Sequence, residues 1–354
     1  MCPVVLELQK REEFNCIVCL TGQHRDMLLP VMQLFDIQDD YNLDIMTDGQ
    51  TLFSITEKLL IKMQFILEQE NPDIVLVHGD TTSAFVAALA CFYKHIPIGH
   101  VEAGLRTYDL EAPFPEEFNR QVVDMLSQIC FAPTANARKN LLDDHIPENN
   151  IVITGNTVID ALRMTVHSDF KDENLEWADH GRLLLMTAHR RENWGEPLRH
   201  ICRAIRRIAD CYEDVRIIYP VHRNPYVRDT VMGELADHPR IRLIEPLEAD
   251  VFHNYIKQAY LVLTDSGGIQ EEAPSLGTPV LVLRDTTERP EGVDAGTLLL
   301  VGTVEENIFN SCLQLLEDKE KYDCMSKAVN PYGDGKAAQR IADALMMWSS
   351  NKGK

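Results

Sequence analysis

Short apolar runs alternate with amphipathic stretches along the first half of the chain. Between the first two apolar runs, residues 51–69 carry apolar side chains at helical spacing, beginning with Leu52, Ile55 and Leu59, which predicts one buried helical face. Strands that alternate with helices in this way pair in parallel beneath the helices. We therefore predict a parallel sheet with strands at residues 16–20, 74–78, 96–101, 129–132 and 151–154.

A polar stretch after Leu162, with the sequence HSDFKDENLEWADHG, separates this series from a second one. The second series has predicted strands at residues 183–187, 215–219, 241–244, 261–264 and 279–283. We predict an α/β chain of two Rossmann-like domains facing a central cleft, because ligands of such sheets bind at the carboxyl ends of the strands. The expected domains are residues 1–162 and 163–335, followed by a C-terminal helix at 336–354 that packs back on the first domain.

The chain opens on a predicted helix, MCPVVLELQKR, in which Val4, Val5 and Leu8 share one face. No strand precedes this helix in the sequence. In the common doubly wound order the first strand is central to the sheet. Either the strand order differs here, or a first strand lies upstream of the sequence.

Composition excludes some classes of partner. The chain has 34 basic and 55 acidic residues, a net charge of −21, which argues against nucleic acid or a membrane surface as partner. No stretch has the length of a transmembrane helix or the pattern of a signal peptide. The nine cysteines favour reduced thiols in a cytoplasm. Cys16 and Cys19 are spaced C-x-x-C in a predicted strand, where their side chains point to opposite faces and hold no common metal.

The strongest local motif is YLVLTDSGGIQEEAPSLG. A predicted strand ends at Thr264 and is followed by Ser266, Gly267 and Gly268, after which a helix begins. Glycine turns let backbone N–H groups approach a phosphate, and a helix N-terminus favours negative charge. Glu272 in the first helical turn is placed to accept hydrogen bonds from the hydroxyls of a ribose. The alternative is a helix capped by the serine side chain after an ordinary glycine turn.

Basic side chains follow several predicted strands of the second half. TAHRRENWG places His189, Arg190 and Arg191 after one strand, YPVHRNP places His222 and Arg223 after another, and DTTERPEG contains Arg289. Each cluster alone is compatible with ordinary surface charge. Together, in an otherwise acidic chain, they favour a basic site for a diphosphate.

Carboxylates follow the predicted strands of the first half. HGDTTSAF places Asp80 after one strand, HVEAGLRT places Glu102 after the next, and APFPEEFNRQ places Glu116 and Glu117 at a helix start. Carboxylates at helix starts also serve as caps, and Asp80 is a candidate N-cap of the following helix. A division of labour is the functional alternative, in which one domain holds a leaving group and the other moves protons.

Eight segments are spread over nearly the whole chain, namely GHVEAGLRT, PFPEEFNRQ, TGNTVIDAL, TAHRREN, YPVH, LTDSGGIQEEAPSLGTPVL, RDTTERPEG and NPYGDG. In this order they resemble the signature segments of the non-hydrolysing UDP-N-acetylglucosamine 2-epimerases. The resemblance implies a GT-B fold, a homodimer, and neither metal nor redox cofactor. It also implies that UDP-N-acetylglucosamine and UDP-N-acetylmannosamine are interconverted by elimination of UDP to a 2-acetamidoglucal and re-addition.

The resemblance also assigns residues. Its catalytic positions are matched by Asp80, Glu102, Glu116 and His189. Bacterial members are activated by their own substrate at a neighbouring site, matched here by Gln23, Gln50, Arg190 and His222. The nucleotide-binding positions are matched by Arg190, His222, Phe252 (at the uracil), Ser266, Gly267, Gly268, Glu272 and Arg289.

The start of the chain departs from the family pattern. The family opens with a strand and a Gly-Thr-Arg-Pro-Glu loop, whereas this sequence opens at the following helix. We expect a first sheet without that strand, and reduced activity of the chain in this form. Two alternatives remain at this stage, a GT-B glycosyltransferase and a catalytically impaired UDP-sugar-binding protein.

Overall fold

A computed structural model describes residues 1–22, 25–46, 49–287 and 289–352, without the side chains of residues 25–27 and 351–352. Twelve strands occur in these ranges. They are β1 (Cys19–Leu20), β2 (Tyr41–Asn42), β3 (Val75–His78), β4 (Ile98–Val101), β5 (Ile129–Ala132), β6 (Ile151–Ile153), β7 (Arg182–Thr187), β8 (Val215–Pro220), β9 (Ile241–Ile244), β10 (Leu261–Thr264), β11 (Val280–Val282) and β12 (Leu298–Leu300).

Sixteen α-helices occur in the same ranges, between and around the strands. None of those described is long and apolar enough to span a membrane. The helices are α1 (Cys2–Gln9), α2 (Arg25–Leu34), α3 (Leu52–Glu70), α4 (Thr82–Tyr93), α5 (Glu116–Leu126), α6 (Ala135–Asp143), α7 (Thr157–Thr165), α8 (Glu173–Ala178), α9 (Glu196–Cys211), α10 (Pro225–Leu235), α11 (Ala249–Gln258), α12 (Ile269–Ser275), α13 (Pro290–Asp294), α14 (Glu305–Glu317), α15 (Lys319–Ser326) and α16 (Ala337–Lys352).

The chain divides into two compact units. The first consists of Met1–Ala161 and Gly333–Lys354, and the second of Leu162–Tyr332. Within the first unit α1 packs against α16. Val4 and Leu8 of α1 share a buried cluster with Ile341 of α16. The amphipathic pattern of the opening segment therefore forms a helix with a buried face, as predicted.

The second unit contains one parallel sheet in the order β12-β11-β10-β7-β8-β9. The five predicted strands are present with shifts of one residue at some ends. β12 was not predicted, because it is only three residues long at the edge of the sheet. Helix α9 buries Leu198, Ile201 and Ile205 on one face.

The first unit contains a four-stranded parallel sheet in the order β3-β4-β5-β6. Strands β1 and β2 form a separate parallel pair, so β3 ends the larger sheet in the described part of the chain. The strand predicted at 16–20 is shorter than expected and begins at Cys19. One reason is that the backbone N–H of Val18 donates to the Asp40 carboxylate at 2.8 Å instead of to a neighbouring strand.

Helix α3 shows how the pattern sets the packing. Ile55, Leu59 and Met63 are buried on one face, as their spacing predicted. The side chain of Thr51 accepts from the backbone N–H of Ser54 and caps the helix start. Leu52, which belongs to the same apolar pattern, is 40% exposed because it lies at the first residue of the helix.

Candidate active site

The first unit brings two predicted carboxylates to one edge of its sheet. Asp80 follows β3 and Glu102 follows β4. These strands are hydrogen-bonded neighbours and run in parallel. Their carboxyl ends therefore lie side by side, at the edge where such sheets place their ligands.

Asp80 is held by an arginine from helix α5. Its Oδ2 atom accepts from Arg120 Nη2 at 2.6 Å. The side-chain amide of Asn119 donates to the Asp80 carbonyl oxygen at 2.9 Å. Asp80 does not cap α4, because the N-cap is Thr81, whose hydroxyl accepts from Ala84 N. The capping alternative considered for Asp80 is therefore wrong.

Glu102 adopts a backbone conformation that is rare for a residue with a side chain. Its φ is +68°, a left-handed geometry that costs about 1–3 kcal/mol and is concentrated at functional sites. Asn156 of the TGNTVIDAL segment donates to Glu102 Oε1 at 3.1 Å. A Cβ at Gly79 would lie 3.3 Å from Glu102 Oε2, so the glycine gives this carboxylate room beside the Asp80 loop.

A buried polar network supports both acidic loops. His100 of β4 contacts the Gly79 carbonyl oxygen through Nε2 at 2.9 Å and Asp124 through Nδ1 at 2.6 Å. Asp124 also accepts from Gly104 N at 3.1 Å and pairs with Arg106 at 2.7 Å. Burial opposes ionisation of Asp124, but the contacts with His100 and Arg106 hold its pKa below the usual range. The network therefore ties the loop before Asp80 to the loop after Glu102.

The two glutamates at the start of α5 have different surroundings. Glu117 is buried and accepts from the backbone N–H groups of Thr107 and Tyr108, each at 3.0 Å. Burial opposes its charge, yet these bonds and one from Gln121 keep the pKa of Glu117 below its ordinary value. The side chain of Glu116 is half-buried and makes no hydrogen bond or ion pair with the described residues. Glu117 is thus fixed by its contacts in the folded chain, whereas the Glu116 carboxylate is not.

The second unit places histidines after neighbouring strands. His189 follows β7 and His222 follows β8, and their rings stack with centroids 5.4 Å apart and planes 11° apart. Burial lowers the pKa of His189, although the nearby Asp265 carboxylate opposes this. His222 Nδ1 accepts from Asn224 N at 3.1 Å. Two of the predicted basic clusters therefore meet at these rings.

The glycine turn after β10 lies against Arg289 of the third basic cluster. A Cβ at Gly267 would lie 2.8 Å from Arg289 Nη1, so the glycine leaves room for the guanidinium in its observed position. Glu271 fixes Arg289 through Nε at 2.5 Å. Gly268 is the N-cap of α12, and no side chain caps it. The alternative of a serine-capped helix is therefore wrong.

Glu272 lies beside this turn in an unusual environment. Burial, together with repulsion from Glu271, raises its pKa from the ordinary 4.5 to about 7, against the opposing effect of Arg289. His253 Nε2 lies 3.7 Å from Glu272 Oε2, and His253 Nδ1 shares a hydrogen bond with the Thr165 hydroxyl at 2.7 Å. Phe252, the predicted uracil contact, is half-buried on α11. Glu272 therefore changes charge near neutral pH.

Comparison with known proteins decides the family. The family model for UDP-N-acetylglucosamine 2-epimerase matches residues 6–346. The chain belongs to the UDP-N-acetylglucosamine 2-epimerase family. The epimerase of Bacillus subtilis is 51% identical over 346 residues, which cover 98% of this chain and 91% of the relative.

Solved structures of other epimerase-family proteins agree with the fold. The Neisseria meningitidis UDP-GlcNAc 2-epimerase bound to UDP-GlcNAc is 47% identical, with a TM-score of 0.88 over 98% of this chain and 96% of the other. S. aureus MnaA in complex with UDP is 46% identical, with a TM-score of 0.90 over 99% and 93%. The family prediction and the α/β GT-B fold are thus confirmed.

The residues assigned to the activator site lie in different parts of the chain. Gln50 donates to Met46 Sδ at 3.0 Å in the first unit, whereas Arg190 and His222 belong to the second. Gln23 lies outside the described residues. No group of His, Cys, Asp or Glu side chains in the described ranges is arranged to hold a metal ion.

Several polar residues that organise this epimerase site were not singled out from the sequence. They contact and orient the predicted residues. The signal in the sequence that could have indicated them was their position in or near the same motifs. His100 lies within the apolar strand segment IGHV, where a histidine resembles an ordinary core residue. The residues that were missed are Arg120, His100, Asp124, Asn156, His253, Asp265 and Glu271.

Proposed function

We propose that the chain interconverts UDP-N-acetylglucosamine and UDP-N-acetylmannosamine by eliminating and re-adding UDP. Family membership at 51% identity with an epimerase supports the activity. The observation that carries the mechanism is the pair of acidic loops, in which Asp80 and Glu102 follow neighbouring parallel strands and share one buried network. The family resemblance of the sequence motifs leads us to propose further that the product supplies amino sugars for bacterial surface polysaccharide.

The second unit binds the nucleotide in this proposal. Arg289 at the Gly267–Gly268 turn stabilises the negative charge of the diphosphate as the anomeric C–O bond breaks. Glu272 accepts from the ribose hydroxyls, and Phe252 lies against the uracil. Ser266, Arg190 and His222 supply further contacts to UDP.

The first unit moves the proton. Loss of UDP gives C1 positive character, which makes the C2 proton removable by a carboxylate. The electron pair of the C2–H bond then forms the C1–C2 double bond of the 2-acetamidoglucal. Protonation of C2 on its other face, with return of UDP to C1, gives the epimer. Asp80, Glu102, Glu116 and His189 provide the acid and base groups.

Deuterium incorporation tests the proposed reaction. We expect the purified protein, incubated with UDP-N-acetylmannosamine in deuterated water, to form UDP-N-acetylglucosamine carrying deuterium at C2. Proton NMR measures the loss of the C2 signal. Full retention of the C2 proton in the epimer contradicts elimination. Transfer of the sugar to an added acceptor without epimerisation indicates a glycosyltransferase.

We also propose that the protein is a cytoplasmic homodimer whose activator contacts include Gln23, Gln50, Arg190 and His222. Support for the dimer comes from an apolar face on α3 and α4, which we call the α3–α4 face. It bears the exposed side chains Phe53 (88% exposed), Ile61 (51%), Phe65 (64%), Phe92 (53%) and Tyr93 (61%). The two helices pack against each other, and exposed apolar side chains concentrated on neighbouring helices indicate an interaction surface.

Replacing Phe65 tests the α3–α4 face as the dimer interface. We expect Phe65→Glu to shift the protein from dimer to monomer in sedimentation velocity, because a buried unpaired carboxylate opposes association. Val329→Glu is the control, since Val329 is 85% exposed but lies outside this face. A Phe65→Glu variant that stays as dimeric as the control places the interface elsewhere. A monomeric parent protein contradicts the dimer itself.

A further inference from the structure

Asp265 is a fully buried carboxylate at the carboxyl end of β10. Its Oδ2 atom accepts three hydrogen bonds from the segment after β7. The donors are the backbone N–H groups of His189 and Arg190, each at 2.9 Å, and the side-chain amide of Asn193 at 3.0 Å. One oxygen of Asp265 therefore fixes the shape of the His189 loop.

The other oxygen of Asp265 has a different environment. Oδ1 is buried without a hydrogen-bond partner, and it lies 3.4 Å from His189 Nδ1. Buried carboxylate oxygens are normally paired, because desolvation without a partner is costly. Holding the loop needs only Oδ2, so a purely structural role leaves the position of Oδ1 unexplained.

The imidazole of His189 lies near Oδ1, and its chemistry depends on this oxygen. A neutral histidine carries its proton on either Nδ1 or Nε2, and the hydrogen bond made by one nitrogen selects the tautomer. Burial lowers the pKa of His189 and so favours the neutral ring. A carboxylate beside Nδ1 selects the Nδ1–H tautomer and leaves the lone pair on Nε2.

We propose that Asp265 is a positioning residue for catalysis, which selects the Nδ1–H tautomer of His189 and so presents an Nε2 lone pair to the bound sugar nucleotide. The inference rests on the proposed epimerase function. Asp265 also stabilises the imidazolium that forms when Nε2 takes a proton. It acts through His189 and does not itself contact substrate.

Asp265→Asn separates the two roles of the carboxylate. The amide oxygen must replace Oδ2, because an amide nitrogen there would face three donors, so the amide N–H₂ faces His189 Nδ1. This reverses the histidine tautomer while the loop keeps its three hydrogen bonds. We expect kcat to fall by about 100-fold, the scale of general acid–base catalysis, with the melting temperature and the Kd for UDP nearly unchanged.

A double-mutant comparison identifies the route of the effect. If Asp265 acts through the ring, Asp265→Asn has little further effect on kcat in a His189→Asn background. Equal losses in both backgrounds overturn the proposal, because the two residues then act independently.

Nitrogen NMR of histidine-labelled protein measures the tautomer directly, with His189→Asn for assignment. We expect the parent protein to show a protonated Nδ1 on His189 and Asp265→Asn to show a protonated Nε2. An unprotonated Nδ1 on His189 of the parent protein overturns the proposal, and this result does not depend on whether the variant folds. A parent protein without epimerase activity but with the expected tautomer contradicts the proposed function and leaves the Asp265–His189 contact standing.

Discussion

Asp80→Asn is expected to lower kcat by about 10²- to 10⁴-fold, the contribution of a general acid–base group. In the parent protein Arg120 contacts Asp80 Oδ2 at 2.6 Å. The asparagine keeps an oxygen for this contact, so the conformation of the loop is retained while the proton acceptor is lost. UDP affinity is expected to remain within about threefold of the parent, since the proposed nucleotide contacts belong to the second unit. Steady-state kinetics and calorimetric titration with UDP measure the two quantities.

The control for Asp80→Asn is Asp343→Asn. Asp343 also pairs with an arginine, Arg11, at 2.7 Å, but it lies on α16 away from the acidic loops. We expect this variant to keep the parent kcat. An Asp80→Asn protein that loses UDP binding as severely as turnover would show that the proposed division between nucleotide binding and proton transfer is wrong.

The sequence predicted the regular parts of the fold because buried parallel strands and amphipathic helices leave strong patterns. Ten of the twelve strands in the described ranges overlap predicted segments. The two that were missed are very short. β2 is two residues long in the polar stretch DIQDDYNLD, and β12 is a three-residue edge strand.

The predicted start of β1 and the candidate cap of α4 were wrong because a side-chain hydrogen bond decided each of them. The β1 region was predicted to begin at residue 16, but Asp40 accepts from Val18 N and the ladder starts only at Cys19. The sequence offered Asp80 as a cap of α4, whereas the structure has Thr81 in that position. In both cases the outcome depends on which hydrogen bond forms, and that choice is not a property of the apolar pattern.

The sequence located the candidate site residues at strand ends but did not identify the groups that support them. Asp80, Glu102 and His189 each follow a strand, as their positions in the pattern predicted, because parallel strands deliver their loops to one edge of a sheet. The residue pattern alone could not rank Glu116 against Glu117, since both carboxylates suit a helix start, and only the family resemblance singled out Glu116. Burial and two backbone donors separate them, with Glu117 fixed in the structure.

Glu272 shows most clearly what the sequence cannot provide. Its place in the first turn of α12 suggested a ribose contact, but its pKa depends on packing around it. Burial and the adjacent Glu271 raise that pKa from 4.5 to about 7. Between these two pH values the folded protein without ligand therefore holds a proton that the unfolded chain releases. The contribution of Glu272 to the free energy of unfolding falls as pH rises from 4.5 towards 7.

The raised pKa predicts that UDP binding depends on pH through Glu272. Only the ionised carboxylate accepts from both ribose hydroxyls, so binding is expected to weaken as pH falls below about 7. At pH 8, Glu272→Ala is expected to weaken binding by about 1–3 kcal/mol, or roughly 5- to 150-fold. The UDP affinities of the parent and of Glu272→Ala should converge at pH 5.5, where the Glu272 carboxyl of the parent is protonated. Calorimetric titration across this range measures both effects.

UDP has a phosphate group that also titrates near pH 6, so the parent protein alone does not isolate Glu272. Glu272→Gln serves as the matched control, because it keeps the size and one acceptor of the side chain but has no proton to lose. Subtracting its pH profile from that of the parent removes the titration of the ligand and leaves that of the carboxyl. The remaining midpoint is expected near pH 7, lowered if bound UDP stabilises the ionised form. Identical profiles for the parent and Glu272→Gln would show that Glu272 does not hold the ribose through its charge, and the nucleotide would then have to be bound by the Arg289 turn and its neighbours alone.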